Sequence, residues 1–293
     1  SPLLYQLSYA PGRPKACTRG GGIQGLARRG TTDRFADVPT AEPPMRPRLP
    51  AALTALALVA PSLPLAGQSV WLNPTPPPAI RIVRETARFG TAAKHLANER
   101  AWVTTLQSKQ VPYSYVGTVA ASGAPEFWFI GGAADFASLE QLDQAYQKDK
   151  GLARQLDTLM AREASFVTDV QTILAAYRAD LSYRPVFIQP ETRHFWVSTF
   201  TVRPGQDAAF ISVLKAYAAA YAAAGDPTPW VTYQAMAGGT GSSYYLFVPM
   251  ESYGLLDREL AAGAAVGGKL VSPTEVAAMF TASTERVDTQ VLT

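Results

Sequence analysis

The chain has 293 residues, 47% of them hydrophobic, and a formal charge of +3 at pH 7. This length and hydrophobic content favour packed domains over general disorder. The basic excess belongs to the front of the chain: residues 1–67 hold eight basic and three acidic residues, which leaves 18 basic and 20 acidic residues for the remainder. Because the remainder has no basic excess to attract a phosphate backbone, we expect no nucleic-acid partner.

Residues 1–44 show no sustained apolar periodicity, and we interpret them as unstructured sequence that is not part of the native protein. Residues 45–67 have the three parts of a secretory signal peptide, namely a short basic segment, an apolar run and an exit of small residues. This pattern predicts a secreted or periplasmic protein with no stable membrane anchor after cleavage. An uncleaved anchor is the weaker interpretation, because prolines interrupt the apolar run.

A β-α-β-β-α-β order follows the proline-rich leader of residues 68–79 and defines a first module, residues 80–185. Its strands contain β-branched and aromatic residues, and its helices show apolar residues at helical spacing. The predicted elements are a strand at 80–88, a helix to about 110, strands at 113–120 and 126–130, a second helical region, and a fourth strand that runs from 170–174 into 177–185.

The same order returns after a linker of residues 186–193 and defines a second module, residues 194–293. Equivalent strands of the two modules are offset by roughly 114 to 117 residues, as expected for duplicated copies that differ in their loops. The second module stops before any counterpart of the fourth strand, so we expect it to be C-terminally truncated and to lack its last strand. Its predicted elements are a strand at 194–202, a helix to 224, strands at 230–236 and 243–248, and a helical region.

The repeated order, the aromatic strands and the alanine-rich helices resemble the dimeric α/β-barrel superfamily, ferredoxin-like proteins that include antibiotic-biosynthesis-type monooxygenases. The resemblance covers residues 80–293 and rests on element order rather than on a sharp motif. It implies an α+β fold in which two tandem ferredoxin-like modules pair as an α/β barrel within one chain, with a ligand cavity between a sheet and its helices. Such pairing would also cover the aromatic faces of both sheets.

Few residues have a recognisable chemical role. Cys17 is the only cysteine, and the histidines His95 and His194 belong to no ligand-spaced cluster, so we expect no metal site and no cofactor. His95 is predicted to lie on a helix surface. The candidates for catalysis are His194, because histidine titrates near neutrality, and Glu85, because it interrupts an apolar strand. For Glu85 the alternative is a salt bridge at the surface or at an interface.

Five aromatic residues of the predicted strands are candidates for lining an apolar ligand cavity. Packing in the core or at the seam between the sheets is the alternative for all of them. They are Tyr115, Trp128, Trp196, Tyr233 and Tyr245.

The sequence leaves three hypotheses for function. The first is an exported protein that binds a small apolar or aromatic molecule. The second is a cofactor-independent, monooxygenase-like enzyme in which His194 or a tyrosine transfers a proton. The third is a structural or partner-binding module without a small-molecule site. A cavity reached by His194 or Glu85 would favour the enzyme, and a solid aromatic seam would favour the structural module.

Overall fold

A computed structural model describes residues 75–111, 113 and 115–293. The predictions for residues 1–44, for the signal peptide at 45–67 and for most of the leader lie outside the described residues. No helix in the described part is both long enough and apolar enough to cross a membrane.

Eight strands and six α-helices are present among the described residues. The strands are β1 (Ala79–Ala87), β2 (Tyr115–Val119), β3 (Glu126–Ala133), β4 (Val167–Tyr177), β5 (His194–Val202), β6 (Val231–Ala237), β7 (Ser242–Met250) and β8 (Thr284–Leu292). The helices are α1 (Ala92–Ser108), α2 (Gln141–Lys148), α3 (Lys150–Glu163), α4 (Asp207–Ala224), α5 (Gly254–Gly267) and α6 (Pro273–Ser283). We call the part from β1 to β4 the first half and the part from β5 to β8 the second half.

All eight strands form one antiparallel sheet in the order β2-β3-β1-β4-β6-β7-β5-β8. The two halves join where β4 pairs with β6. The end strands of this order also meet, because the backbone N–H of Val119 donates to Thr293 and the N–H of Thr293 donates to Val119, each at 2.8 Å. The sheet therefore curls until its two edges are hydrogen-bonded. This arrangement confirms the α+β class and the expected curled antiparallel sheet.

Two predictions about strands are wrong. The fourth strand of the first half is Val167–Tyr177, so it includes the predicted residues 170–174 but does not extend to 185. The second half does have a last strand, β8, which pairs with β5 along nearly its whole length. Both strands are rich in polar residues, since much of each faces solvent, so their sequences show little of the apolar alternation that identifies a strand. β4 and β8 are strands because they pair with β1 and β5, and these partner strands lie far away in the sequence.

The inward face of the curled sheet is filled by apolar side chains from both halves. Ile80 and Ile82 of β1 lie in one cluster with Phe195 of β5 and Phe247 of β7. Each fully buried side chain of this size contributes about 1.5–3 kcal/mol. The outward face is covered by helices, and here the halves differ. A large aromatic cluster fills the layer between the sheet and α4–α6, whereas the layer under α1–α3 contains a smaller leucine cluster.

Candidate functional site

A cavity of about 410 Å³ lies between the first half of the sheet and helices α1, α2 and α3. Its walls are mainly apolar, and four ionisable side chains gather at one side of it, three glutamates that line the cavity and a completely buried histidine in contact with two of them. These four are Glu85, His95, Glu99 and Glu163, whose ligand-type atoms, one from each residue, all lie within 4.8 Å of one another. We call them the polar cluster. The apolar walls include Val83, Trp102, Leu106, Phe129, Leu142 and Met160.

Strand β1 positions Glu85 in the cavity by simple alternation. Successive residues of a strand point to opposite faces, so Val83 and Glu85 face the helices, whereas Ile82 joins the interior cluster. Arg84 also points away from the cavity and forms an ion pair with Glu126 at 2.8 Å. The neighbours Arg84 and Glu85 therefore belong to different environments.

Helix α1 contributes His95 and Glu99, which are one turn apart and so project from the same side of the helix. The side chain of His95 is completely buried, and its ring stacks on Phe127 of β3 with 4.0 Å between ring centroids. Its Nε2 lies 2.7 Å from Glu85 Oε2 and 2.8 Å from Glu163 Oε1. The imidazole thus lies at the centre of the polar cluster, with an aromatic ring holding its plane.

Glu163, at the end of α3, is oriented by the amide of Asn98. The Asn98 Nδ2 donates to Glu163 Oε2 at 2.5 Å and to the backbone carbonyl of Leu159 at 3.1 Å. Both Asn98 and Glu163 are buried. The amide holds one carboxylate oxygen and directs the other, Oε1, towards His95. Helices α1 and α3 are therefore linked through polar groups at the cavity.

Two groups of the polar cluster have strongly shifted pKa values. Burial and the nearby carboxylates of Glu85 and Glu163 together raise the pKa of Glu99 to about 8, against the opposing effects of His95 and Tyr115. For His95, burial acts to lower the pKa, but the close contacts with the negatively charged carboxylates of Glu163 and Glu85 outweigh it and raise the pKa to about 9. Such shifts arise where like charges share a buried space.

Arg81 and Tyr113 lie on another side of the same cavity. The Arg81 guanidinium donates to the carbonyl of Leu139 at 3.1 Å and to Asp143 at 3.4 Å. Burial raises the pKa of Tyr113. Among the ion pairs of the described residues, the three glutamates of the polar cluster have no lysine or arginine partner.

The second half has apolar residues at the positions that correspond to the polar cluster. β5 pairs with β7 and β8 as β1 pairs with β3 and β4, with a register shift at the same place in both strands. Residues of α1 and α4 are matched by their distance from the helix N-cap, and those of α3 and α6 by their distance from the start of the following strand. The pairs are Glu85 and Phe200, His95 and Phe210, Glu99 and Leu214, and Glu163 and Phe280.

The corresponding residues of the second half pack together instead of lining a polar cavity. The ring of Phe200 lies 5.3 Å from that of Phe210 and 6.3 Å from that of Phe280, and Leu214 belongs to the same cluster. The same four positions thus meet in both halves. In the second half these positions hold packed apolar residues, so the fold does not require the charged residues of the first half.

The structure distributes the predicted site residues over several places. Glu85 and Tyr115 lie at the cavity, and the Tyr115 hydroxyl is 3.4 Å from Glu99 Oε2. His194 lies elsewhere, where its Nδ1 is 3.1 Å from Thr293 Oγ1 and its ring stacks on Tyr253. The other predicted ligand-binding residues are packed in the apolar clusters and do not line this cavity: Trp128, Trp196, Tyr233 and Tyr245.

Three residues of the polar cluster were missed by sequence reasoning. His95 was predicted to lie on a helix surface and is instead fully buried, while Glu99 and Glu163 were not singled out. A signal for them was available, because aligning the two halves places His95 and Glu99 opposite Phe210 and Leu214. Charged residues opposite buried apolar ones in a repeat indicate a specialised site.

No family model and no curated protein matches the chain. Solved structures similar to it include a protein from Fusobacterium nucleatum provisionally described as a monooxygenase, with TM-score 0.48, 8% identity and coverage of 74% of this chain and 92% of that one. An anthrone oxidase-like protein has TM-score 0.46, 11% identity and coverage of 73% and 90%. A mutant chlorite dismutase from Candidatus Nitrospira defluvii has TM-score 0.47, 9% identity and coverage of 74% and 92%. At these identities the likeness concerns the fold alone.

Proposed function

We propose that the protein is an exported protein that binds a small apolar or aromatic molecule in the cavity of its first half. The observation that carries this proposal is the contrast between the halves: four positions hold ionisable side chains in one half, three of them lining a cavity, and are apolar and closely packed in the other. The cavity volume of about 410 Å³ is within the usual range for small-molecule sites.

The two halves are, in this proposal, tandem ferredoxin-like modules at residues 80–185 and 194–293, joined by the linker 186–193. The equal element order and the matching register shifts of β1 and β5 support this interpretation. After duplication, one copy can keep a packed core that stabilises the chain while the other keeps a cavity. Binding capacity would then reside in the first module and much of the stability in the second.

The expected ligand has an apolar body and one polar group. Val83, Trp102 and Phe129 offer apolar and aromatic surface to the body. The polar group would face the polar cluster, because buried polar atoms need hydrogen-bond partners. A purely aliphatic molecule would leave the imidazole and carboxylates without new partners and should bind more weakly.

An enzyme is the second candidate, and the placement of His95 favours it. An imidazole held 2.7 Å from Glu85, with its ring fixed by stacking, is suited to exchange a proton with this carboxylate. Glu85 lines the cavity and could in turn exchange a proton with a bound molecule. Groups of this kind are costly to bury and are common at catalytic sites. A monooxygenase-like reaction on an electron-rich aromatic molecule would place His95, rather than His194, in this role.

Filling the cavity tests the binding proposal. We expect Val83→Phe to abolish binding of 2-naphthol, a small aromatic molecule with one hydroxyl, measured by calorimetry and by quenching of tryptophan fluorescence. Val271→Phe makes the same change at a fully exposed position of the second half and serves as the control. His194→Ala should also leave binding unchanged.

Equal binding by the Val83→Phe protein and the wild type would contradict the cavity as the site. If the wild type binds neither 2-naphthol nor any molecule that co-purifies with it, as judged by native mass spectrometry, the binding proposal fails and the structural module is favoured.

A further inference from the structure

We propose that Glu85, His95, Glu99 and Glu163 bind one divalent first-row metal ion, such as Mn²⁺, Fe²⁺ or Zn²⁺, at the edge of the cavity. This inference rests on the proposed function in taking the cavity as the functional site, and it adds a cofactor to it. It revises the expectation from sequence that the chain has no metal site.

The donor set fits such an ion. The polar cluster offers one imidazole nitrogen and three carboxylates, and these atoms can be chosen so that all lie within 4.8 Å of one another. Imidazole and carboxylate together suit Mn²⁺, Fe²⁺ and Zn²⁺, and the absence of any thiolate argues against softer ions. The donors come from β1, α1 and α3, so three separate elements hold them in place.

The contacts of His95 Nε2 provide an independent indication. This nitrogen lies 2.7 Å from Glu85 Oε2 and 2.8 Å from Glu163 Oε1, yet it can carry only one hydrogen. With Glu85 Oε2 as the acceptor of that hydrogen, Glu163 Oε1 has no hydrogen-bond partner, although Glu163 is only 9% exposed. A buried carboxylate oxygen without a donor is costly and requires an explanation. One metal ion would bind this oxygen, the imidazole and Glu85 together.

The observed separations are close to those of neighbouring ligands around an ion. Metal bonds to nitrogen and carboxylate oxygen are about 2.1 Å long, so two ligands at right angles lie about 3 Å apart. The separations of 2.7 and 2.8 Å need to widen only slightly.

The negative charge of the polar cluster also favours a bound cation. Three glutamates surround one imidazole, and no lysine or arginine of the described residues forms an ion pair with them. Arg81 is engaged by Leu139 and Asp143 instead. Buried charges are normally paired or coordinate metals. A divalent ion would compensate two of the carboxylates within the polar cluster.

Metal content and metal-dependent stability test the inference. The intact chain would be purified without chelator and its metals quantified by mass spectrometry, then dialysed against EDTA and titrated with Mn²⁺ or Zn²⁺ alone. We expect close to one ion per chain, loss of the free Mn²⁺ signal in electron paramagnetic resonance on binding, and a rise in melting temperature with ion concentration, because an ion that binds the folded state stabilises it.

Variants separate this site from adventitious binding. Glu85→Gln should weaken metal binding at least about 10-fold, and Glu99→Gln, at a less buried position, gives the same test if the first variant does not fold. Glu126→Gln is the matched control, because Glu126 is a buried glutamate of β3 bound to Arg84 and Trp128 outside the cavity. It should bind metal like the wild type.

The inference is overturned if the wild type holds no stoichiometric ion and its melting temperature does not respond to Mn²⁺ or Zn²⁺, or if Glu85→Gln and Glu99→Gln respond as strongly as the wild type. Binding of 2-naphthol by the EDTA-treated protein is measured in parallel. Intact 2-naphthol binding with no metal response would remove the metal site and leave the proposed function standing.

Discussion

At the residue scale, the stacking of His95 on Phe127 fixes which atom of the histidine can act. The ring plane is held between α1 and β3, so Nε2 is directed at the carboxylates of Glu85 and Glu163. Asn98 likewise orients Glu163, because its amide donates a hydrogen bond to one of the carboxylate oxygens. The geometry of the site is therefore set by neighbours with no other evident role in the cavity, as is usual for functional sites.

A glycine at the junction of the halves gives a prediction at this scale. Gly238 has φ +78°, and a Cβ added there would lie only 1.9 Å from the carbonyl oxygen of Thr172 in β4. Gly241, in the same turn, has φ +67° with no atom within 4 Å of an added Cβ. Alanine at either site has the left-handed backbone cost of about 1–2 kcal/mol, but only Gly238→Ala must also move the backbone.

We therefore expect Gly238→Ala to lower the free energy of unfolding by several kcal/mol, about 3 or more, and Gly241→Ala by about 1–2 kcal/mol. Urea unfolding followed by circular dichroism measures both. Equal losses for the two variants would mean that the approach of this turn to β4 is looser than described.

At the scale of elements, the two helix layers show two uses of one packing arrangement. Under α4 and α6 the four compared positions are filled by Phe200, Phe210, Leu214 and Phe280, and no polar group there needs a partner. Under α1 and α3 the same positions hold ionisable groups beside a cavity. Because buried charges are costly even when paired, we expect the first layer to contribute less to the free energy of unfolding than the second.

Transferring the apolar residues of the second half into the first tests this contrast. The variant Glu85→Phe, His95→Phe, Glu99→Leu, Glu163→Phe should fold, and its free energy of unfolding in EDTA should exceed that of the wild type by about 1–4 kcal/mol. The cavity has room for the added side chains. The variant should also lose 2-naphthol binding. Chemical denaturation and calorimetry provide the two measurements.

The opposite change in the second half is the control. Phe200→Glu places one carboxylate in a closely packed apolar layer, and we expect it to be destabilising by about 3–5 kcal/mol. A four-residue variant that is less stable than the wild type would show that the polar cluster stabilises the first half.

Sequence reasoning performed differently on the different elements. The helix α1 and strand β1 were predicted from apolar periodicity and β-propensity, which are local properties. β4 and β8 were misjudged, because solvent-facing strands such as Thr284–Leu292 have polar residues at most positions. Their strand conformation depends on hydrogen bonds to β1 and β5, and these partners are remote in sequence.

At the scale of the whole molecule, closure of the sheet joins the two halves into one structural unit. The contacts of β4 with β6 and of Val119 with Thr293 leave no long free edge between the halves. The apolar face thus enclosed contains Ile80 and Ile130 from one half and Val231 and Phe247 from the other. Each half covers the other's apolar face.

The proposal of export also belongs to the whole molecule. Cleavage after the predicted signal peptide would give a mature protein that begins near Gln68, just before the first described strand. We expect N-terminal sequencing of protein recovered from the medium or periplasm of an expressing bacterium to begin near this residue. Recovery from the cytoplasm alone of a chain that starts before Met45 would argue against export.

The sequence by itself determined the β-α-β-β-α order that both halves share, the α+β class and the candidacy of Glu85, because these follow from local periodicity and from a charge in an apolar strand. Only the tertiary structure decided that His95, Glu99 and Glu163 join Glu85, that β8 completes the sheet, and that a cavity lies between the first half of the sheet and its helices. The physical reason is that the sequence of a helix does not show whether a charged residue faces solvent or the interior. The polar cluster forms only when β1, α1 and α3 bring their ionisable side chains together in a buried space.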